Sequence, residues 1–366
     1  MRDVMTGTTF SAVLMNTGEP LEFMTLKLPN LLPGQVLVDV AWSGICRTQL
    51  NEIRGKKGPD RFLPHTLGHE GTGTVQQTGP DVTKVRPGDR VVLSWLKGSG
   101  ADVPGTQYEG PGYPVNSGAV STFMTTAVIS ENRVTPLPEN VPLLEGALFG
   151  CALPTGAGMV LHTAKVTAGQ SVAIFGVGGI GLSALVTAAS QGATPLIAVD
   201  VIPEKLAMAR SLGATHTIDA SILDPATAIR EITGQNGADI TIEAAGQTGA
   251  MENAYDATRT GGGLCIIAGN LEPDTRISID PFQLINGRRI VGSWGGESRI
   301  EEDIPLFARM MDNQKFDLKN LVTHTYGLTE LNNAMDDLEA GRVGRALLAV
   351  SPEAQETAGQ SIPGQA

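Results

Sequence analysis

Three cysteines in 366 residues, an odd number, rule out a disulfide framework. They suit a reducing compartment in which thiols stay free, so a cytoplasmic protein is expected. Basic charge is short as well. Lys and Arg total 26 against 38 Asp and Glu, for a net charge of −12, and the basic residues are scattered. With no basic stripe, nucleic acid is excluded as an expected partner, and the acidity serves solubility while saying little about a substrate. Long apolar runs are missing too. The longest, Val172 to Ala189, is broken by a glycine cluster and by Ser183 and Thr187, so no membrane span is expected. The opening residues MRDVMTGTTFSAVLMNTG lack the apolar core of a signal peptide. No internal repeat is found. What is present, 41% hydrophobic and 17% charged residues, is the composition of a globular chain long enough for two or three domains.

The chain has two rhythms. Strands are expected over 36–41, 72–75 and 90–93, separated by the turn-rich Thr78-Gly79-Pro80-Asp81 and Pro87-Gly88-Asp89. This pattern predicts an all-β body, with a Gly/Pro-rich loop between Ser94 and Ser121 that is too long for a simple connection. From Gln170 onward strands and helices alternate. Strands over 171–175, 195–200, 217–219, 238–243 and 264–268 are interleaved with helices over 180–191, 203–212, 226–232 and 251–258, which predicts a doubly wound parallel sheet. Helices over 304–313 and 331–340 and a strand over 346–350 follow, and 351–366, polar and small, reads as a disordered tail.

The chemistry sits in two places. Cys46 lies in Ser43-Gly44-Ile45-Cys46-Arg47-Thr48, His69 in Gly68-His69-Glu70, and Cys151 in Gly150-Cys151-Ala152-Leu153-Pro154-Thr155. Two thiolates and an imidazole are the ligand set of a catalytic zinc with an open fourth position. Each has a plain alternative, since a lone buried cysteine is usually a small hydrophobe, the reading that fits Cys265 inside a predicted strand. His65 stands close to His69, but Pro64 beside it and the lack of helical pattern favour a core or surface histidine. Soon after Cys151 comes Gly176-Val177-Gly178-Gly179-Ile180-Gly181, which follows a β run, opens a helix and is trailed about 20 residues on by Asp200 at a strand end. That context is the dinucleotide fingerprint, with the pyrophosphate on the helix N-terminus. A carboxylate at Asp200 would accept from both ribose hydroxyls and repel a 2′-phosphate, which favours NAD over NADP. The plain alternative is a Gly-rich turn without nucleotide.

Gly68-His69-Glu70 followed by Gly73, Gly79 and Val82 matches the signature of zinc-containing alcohol dehydrogenases of the medium-chain dehydrogenase/reductase superfamily. The Cys46 and Cys151 segments resemble that family's other two ligand segments, and the resemblance runs from about residue 10 to 350. It implies a GroES-like β catalytic domain built from 1–154 and 297–350, with an NAD-binding Rossmann domain over 155–296. It also implies zinc on Cys46, His69 and Cys151, with Glu70 as an acid able to approach the metal. Arg47 and Arg345 resemble pyrophosphate-binding arginines, and Lys205 a ribose-contacting lysine. Thr155 and Ile180 resemble residues flanking the nicotinamide, and Ala268-Gly269-Asn270 and Gly292-Ser293-Trp294 the segments holding its ring and carboxamide. Superfamily members are commonly dimers or tetramers, so a homo-oligomer is expected by analogy.

Two departures stand out. The stretch Ser94 to Ser121 has no cysteine, so the four-cysteine structural zinc lobe of many members cannot form, and one catalytic zinc per chain is expected. Asn51 replaces a histidine that ends the proton relay in some members, and Gln49 an acid often found beside the zinc. The expected reaction is reversible hydride transfer between a primary or secondary alcohol, hydrophobic or cyclic, and NAD, with Thr48 taking the hydroxyl proton. Trp95 and Trp294 are expected to line the substrate pocket, core burial being the alternative for both. A polyol dehydrogenase, and a zinc-free NADPH quinone or enoyl reductase, are the competing enzyme readings.

Overall fold

The computed structural model describes residues 7–313 and 318–360. The chain divides into two compact units, one made of Met1–Cys151, Arg299–Arg309 and Leu318–Ala366, the other of Ala152–Ser298 and Met310–Asp317. Among the described residues, no single helix is long and apolar enough to cross a membrane.

The first unit is mostly β, as the alternating segments imply. Strands Thr8–Leu14, Glu22–Lys27, Gln107–Glu109, Pro114–Asn116 and His65–Thr66 close a small barrel. A second sheet runs in the order Val134–Pro136, Arg90–Ser94, Glu70–Thr78, Gln35–Gly44, Ala346–Ala349, His324–Gly327, with Thr126–Ser130 also on Gln35–Gly44. The Ser94–Ser121 stretch is thus not simply a loop. Its middle forms a hairpin that completes the barrel, anchored by Tyr108, which is 1% exposed and whose hydroxyl accepts the Val128 N–H at 2.8 Å. Glycines and prolines masked two strands too short to show a period. Val36, Val38, Val40, Leu93 and Phe123 meet Leu331, Met335 and Leu348 in one core, so the late segment of the chain seals the early sheet.

The expected disordered tail is a correction. Pro352–Gln360 is a helix, with Ala354 buried at 3% exposure; 361–366 lie outside the described residues. Its start signal was legible, because Ser351 before Pro352-Glu353 is a capping residue followed by proline at the first helical position. The Ser351 hydroxyl accepts the Ala354 N–H at 3.1 Å.

The second unit is a six-stranded parallel sheet in the order His216–Asp219, Leu196–Asp200, Val172–Phe175, Ile240–Glu243, Leu264–Ile267, Arg289–Gly292. Its central strands are buried on both faces, which is why they read as continuous apolar runs. The order reverses beside Val172–Phe175, the place where such sheets bind ligands at their carboxyl ends. The edge strand Arg289–Gly292 and the helix Pro281–Ile285 were not anticipated, because both are short and largely exposed.

Candidate active site

Three adjacent strands of the first unit end together. Ser43 pairs with Gly71, and Glu70 with Ser94, so the residues just outside these pairs converge. Cys46 caps the helix Arg47–Ile53, directly after the strand Gln35–Gly44. His69 precedes the strand Glu70–Thr78. Cys151 occupies the break between the turn Ala147–Gly150 and the helix Ala152–Gly158, and the Ser94 hydroxyl fixes that break by donating to the Gly150 carbonyl at 2.7 Å. Gly44 is demanded by a close approach. A Cβ there would lie 2.4 Å from the Glu70 carboxyl carbon.

One donor atom from each of Cys46, His69, Glu70 and Cys151 lies within 4.8 Å of the others. His69 Nε2 is buried with no hydrogen-bond partner, a state costing about 1–3 kcal/mol unless something binds the atom. The hydrogen bond from Cys151, outweighing burial, holds the Cys46 thiol well below its ordinary value. That same bond, with burial, pushes the Cys151 thiol well above its own. The shared bond therefore favours a proton on Cys151 over one on Cys46. Burial pulls the His69 imidazole down, but the Cys46 sulfur and the Glu70 charge together raise it above its ordinary value. The set fits a zinc ion, because two sulfurs and an unpartnered ring nitrogen face one point. Filling it would release the Cys151 proton.

Glu70 is fully buried; its Oε2 accepts from Arg345 Nη2, and its Oε1 has no partner. Arg345, 4% exposed, also donates through Nη1 to the Ile45 carbonyl at 3.0 Å. This guanidinium, expected at a pyrophosphate, pairs through Nη1 and Nη2 with Ile45 and Glu70. Arg345→Leu should leave the Glu70 charge buried and uncompensated, at a cost of about 3–5 kcal/mol, seen as a lower urea midpoint; an unchanged midpoint would show that the pairing carries no weight.

Around this cluster, Arg47 is exposed and donates through Nη2 to the Leu338 carbonyl at 3.2 Å. Thr48 is half-buried on the same helix. Trp95 is half-buried too, and its carbonyl accepts from Arg133. Glu52, Asp60 and His65 form a second cluster, but a satisfied one. His65, 7% exposed, has Nε2 at 2.8 Å from Asp60 Oδ2 and Nδ1 at 3.0 Å from the Thr66 carbonyl, so it is the core histidine the sequence favoured.

In the second unit the glycine turn links the strand Val172–Phe175 to the helix Gly179–Ser190. Gly181 is fixed by contact, since a Cβ there would sit 1.9 Å from the Gly176 carbonyl oxygen. Asp200 ends the next strand. Its Oδ2 accepts the Val177 N–H at 2.9 Å, and its Oδ1 those of Val201 and Ile202 at 2.8 and 3.1 Å. Lys205 is half-buried on the following helix, Pro203–Ser211. Thr155 Oγ1 is buried without a partner. The Ser293 N–H donates to the Ile267 carbonyl at 2.9 Å, while Trp294, 77% exposed, is no core aromatic. Glu243 was passed over. Fully buried at a strand end, it accepts the N–H groups of Ala245 and Gly246 at 2.9 and 2.7 Å and of Gly269 at 3.2 Å, bracing the Ala268–Gly269–Asn270 segment. An acid ending the apolar run Ile240-Thr241-Ile242-Glu243 was the available signal.

Residues 32–139 match the family model of the alcohol dehydrogenase GroES-like domain, and residues 179–311, mostly in the second unit, match that of the zinc-binding dehydrogenase. The S-(hydroxymethyl)glutathione dehydrogenase of Paracoccus denitrificans is 32% identical over 374 residues, covering 93% of this chain and 99% of that protein. The chain belongs to the zinc-containing alcohol dehydrogenase family. Among solved structures, an alcohol dehydrogenase zinc-binding domain protein from Burkholderia ambifaria is similar with a TM-score of 0.86 and 31% identity, over 94% of this chain and 99% of that one. Benzyl alcohol dehydrogenase from Acinetobacter calcoaceticus gives 0.85 and 31%, over 94% and 100%. The enzyme is thus an oxidoreductase acting on the CH–OH group of small alcohols, and zinc is its metal.

Proposed function

We propose that this dehydrogenase oxidises a primary or secondary alcohol, hydrophobic or cyclic, with NAD, and reduces the matching aldehyde or ketone in reverse. The observation that carries the reading is the unpartnered His69 Nε2 facing the sulfurs of Cys46 and Cys151. Zinc there would supply the Lewis acidity that lets an alcohol ionise near neutrality, as it brings water to a pKa of about 7, and the nicotinamide would supply the hydride acceptor. Thr48, two residues beyond Cys46, takes the hydroxyl proton and hands it on. Glu70, paired with Arg345, balances charge behind the ligands. Asp200 holds the ribose hydroxyls, aided by Lys205, and Arg47 the pyrophosphate over the Gly176, Gly178, Gly179, Ile180 and Gly181 turn. Thr155, Ala268, Gly269, Asn270, Ser293 and Trp294 position the nicotinamide.

The benzyl alcohol dehydrogenase likeness supports an apolar substrate, with Trp95 and Trp294 as its aromatic wall. The edge strand Arg289–Gly292, paired on one side among the described residues, and the exposed Phe282 and Ile285, at 62% and 81%, support a homo-oligomer, dimer or tetramer. Three free thiols support the cytoplasm.

A panel of primary, secondary, cyclic and aromatic alcohols with NAD and NADP, run beside metal analysis, tests the reading. One zinc per chain and NAD reduction are expected; metal-free protein inert toward every alcohol would overturn it. Thr48→Ala should keep its zinc and lose about 10²–10⁴ in turnover, the usual worth of a positioned proton acceptor. Wild-type turnover would remove Thr48 from the role.

A further inference from the structure

His69 offers its Nε2 lone pair to a metal only when its proton sits on Nδ1, and that proton then needs an acceptor. The atom facing Nδ1 is Nε2 of Gln49, at 2.7 Å. Gln49 is 2% exposed, so its amide is held against the ring. The one acceptor oxygen of the amide, Oε1, already accepts the Cys46 backbone N–H at 3.2 Å. A single oxygen is therefore required by two donors, each belonging to a metal-ligand residue, and an amide has no second one to give. A carboxylate of the same length would present an oxygen to each, and its charge would make the imidazole a stronger ligand.

The backbone under Gln49 is fixed, because its neighbours Leu50 and Ile53 are each 1% exposed. Any response falls on the amide itself. It has room to turn, since Gln49 and His69 border a cavity of about 340 Å³ shared with Glu52, His65, Asn116 and Ser121. When Oε1 turns to the ring, the Cys46 N–H goes without; when it stays, the ring proton does.

Resting on the reading that Cys46, His69 and Cys151 hold zinc, we propose that Gln49 is the positioning residue of His69. Its single-acceptor amide keeps the zinc exchangeable, held at least about tenfold more weakly than a carboxylate at this position would hold it.

The test compares full-length wild type, Gln49→Glu and Gln49→Leu by zinc content and by competition against a chelator in the absence of alcohol and cofactor. Wild type should hold one zinc. Gln49→Glu should bind it at least about tenfold more tightly, and Gln49→Leu about 10- to 100-fold more weakly. Should Gln49→Leu fail to fold, Gln49→Glu decides alone. A zinc-loaded wild type and Gln49→Glu with equal dissociation constants, or a weaker Gln49→Glu, would overturn the proposal. A wild type with no zinc would instead sink the ligand assignment itself, and this inference with it.

Discussion

Cys46→Ser and Cys151→Ser should each purify without stoichiometric zinc and oxidise alcohol at least about 10³-fold more slowly, since the several kcal/mol of Lewis-acid stabilisation vanish together. The two thiols behave as one unit in the metal-free protein, Cys46 held low by its bond from Cys151 and Cys151 pushed high by the same bond. Losing either removes a ligand that the other cannot replace. Acid should mimic the substitutions. Because zinc requires both sulfurs deprotonated and Cys151 is the reluctant one, occupancy falls as pH is lowered. Cys265→Ser serves as the control. Burial pushes that thiol up to about 11 in the second unit, so zinc and rate should both stay as in wild type. Metal content and turnover measured on the three variants decide the matter, and a Cys46→Ser protein with one zinc and near-normal rate would remove Cys46 from the ligand set.

Asp200→Gly should weaken NAD about 100-fold while NADP use holds or improves. A hydrogen bond to a charged group is worth about 1.5–3 kcal/mol, and losing the carboxylate removes roughly 3 kcal/mol, or a factor near 100, of ribose binding. Repulsion of a 2′-phosphate goes with it. The substitution also deprives the Val177, Val201 and Ile202 N–H groups of their acceptor, so general weakening alone is not diagnostic. The ratio of kcat/KM for the two cofactors is the readout, because damage to the turn lowers both. An unchanged ratio would mean that Asp200 does not select the cofactor.

The second unit was readable nearly strand by strand, because parallel strands buried on both faces produce apolar runs and the glycines of the turn have no other use. The edge strand Arg289–Gly292 escaped, its exposed positions breaking the run. In the first unit the ligand segments stood out through Gly44, Gly68 and Gly150 beside them, while the barrel hairpin Gln107–Asn116 hid among glycines and prolines. The pairing of Glu70 with Arg345 was not legible at all. It joins residues 275 apart in sequence, and only the strand Ala346–Ala349 docking on Gln35–Gly44 brings them together. Gln49 was visible as a substitution, yet its contact with His69 depends on how the helix Arg47–Ile53 turns toward the residue before the strand Glu70–Thr78, which residue types alone do not specify.

That late docking has a consequence during translation. Cys46, His69 and Cys151 all leave the ribosome before the second unit is made, but the guanidinium that neutralises Glu70 arrives only afterwards. A nascent chain halted short of Arg345 would display every thiol and imidazole of the centre beside an unbalanced acid, with the Gln35–Gly44 strand still missing a neighbour. The charge on Glu70 is therefore balanced only once the strand Ala346–Ala349, made near the end of synthesis, pairs with Gln35–Gly44.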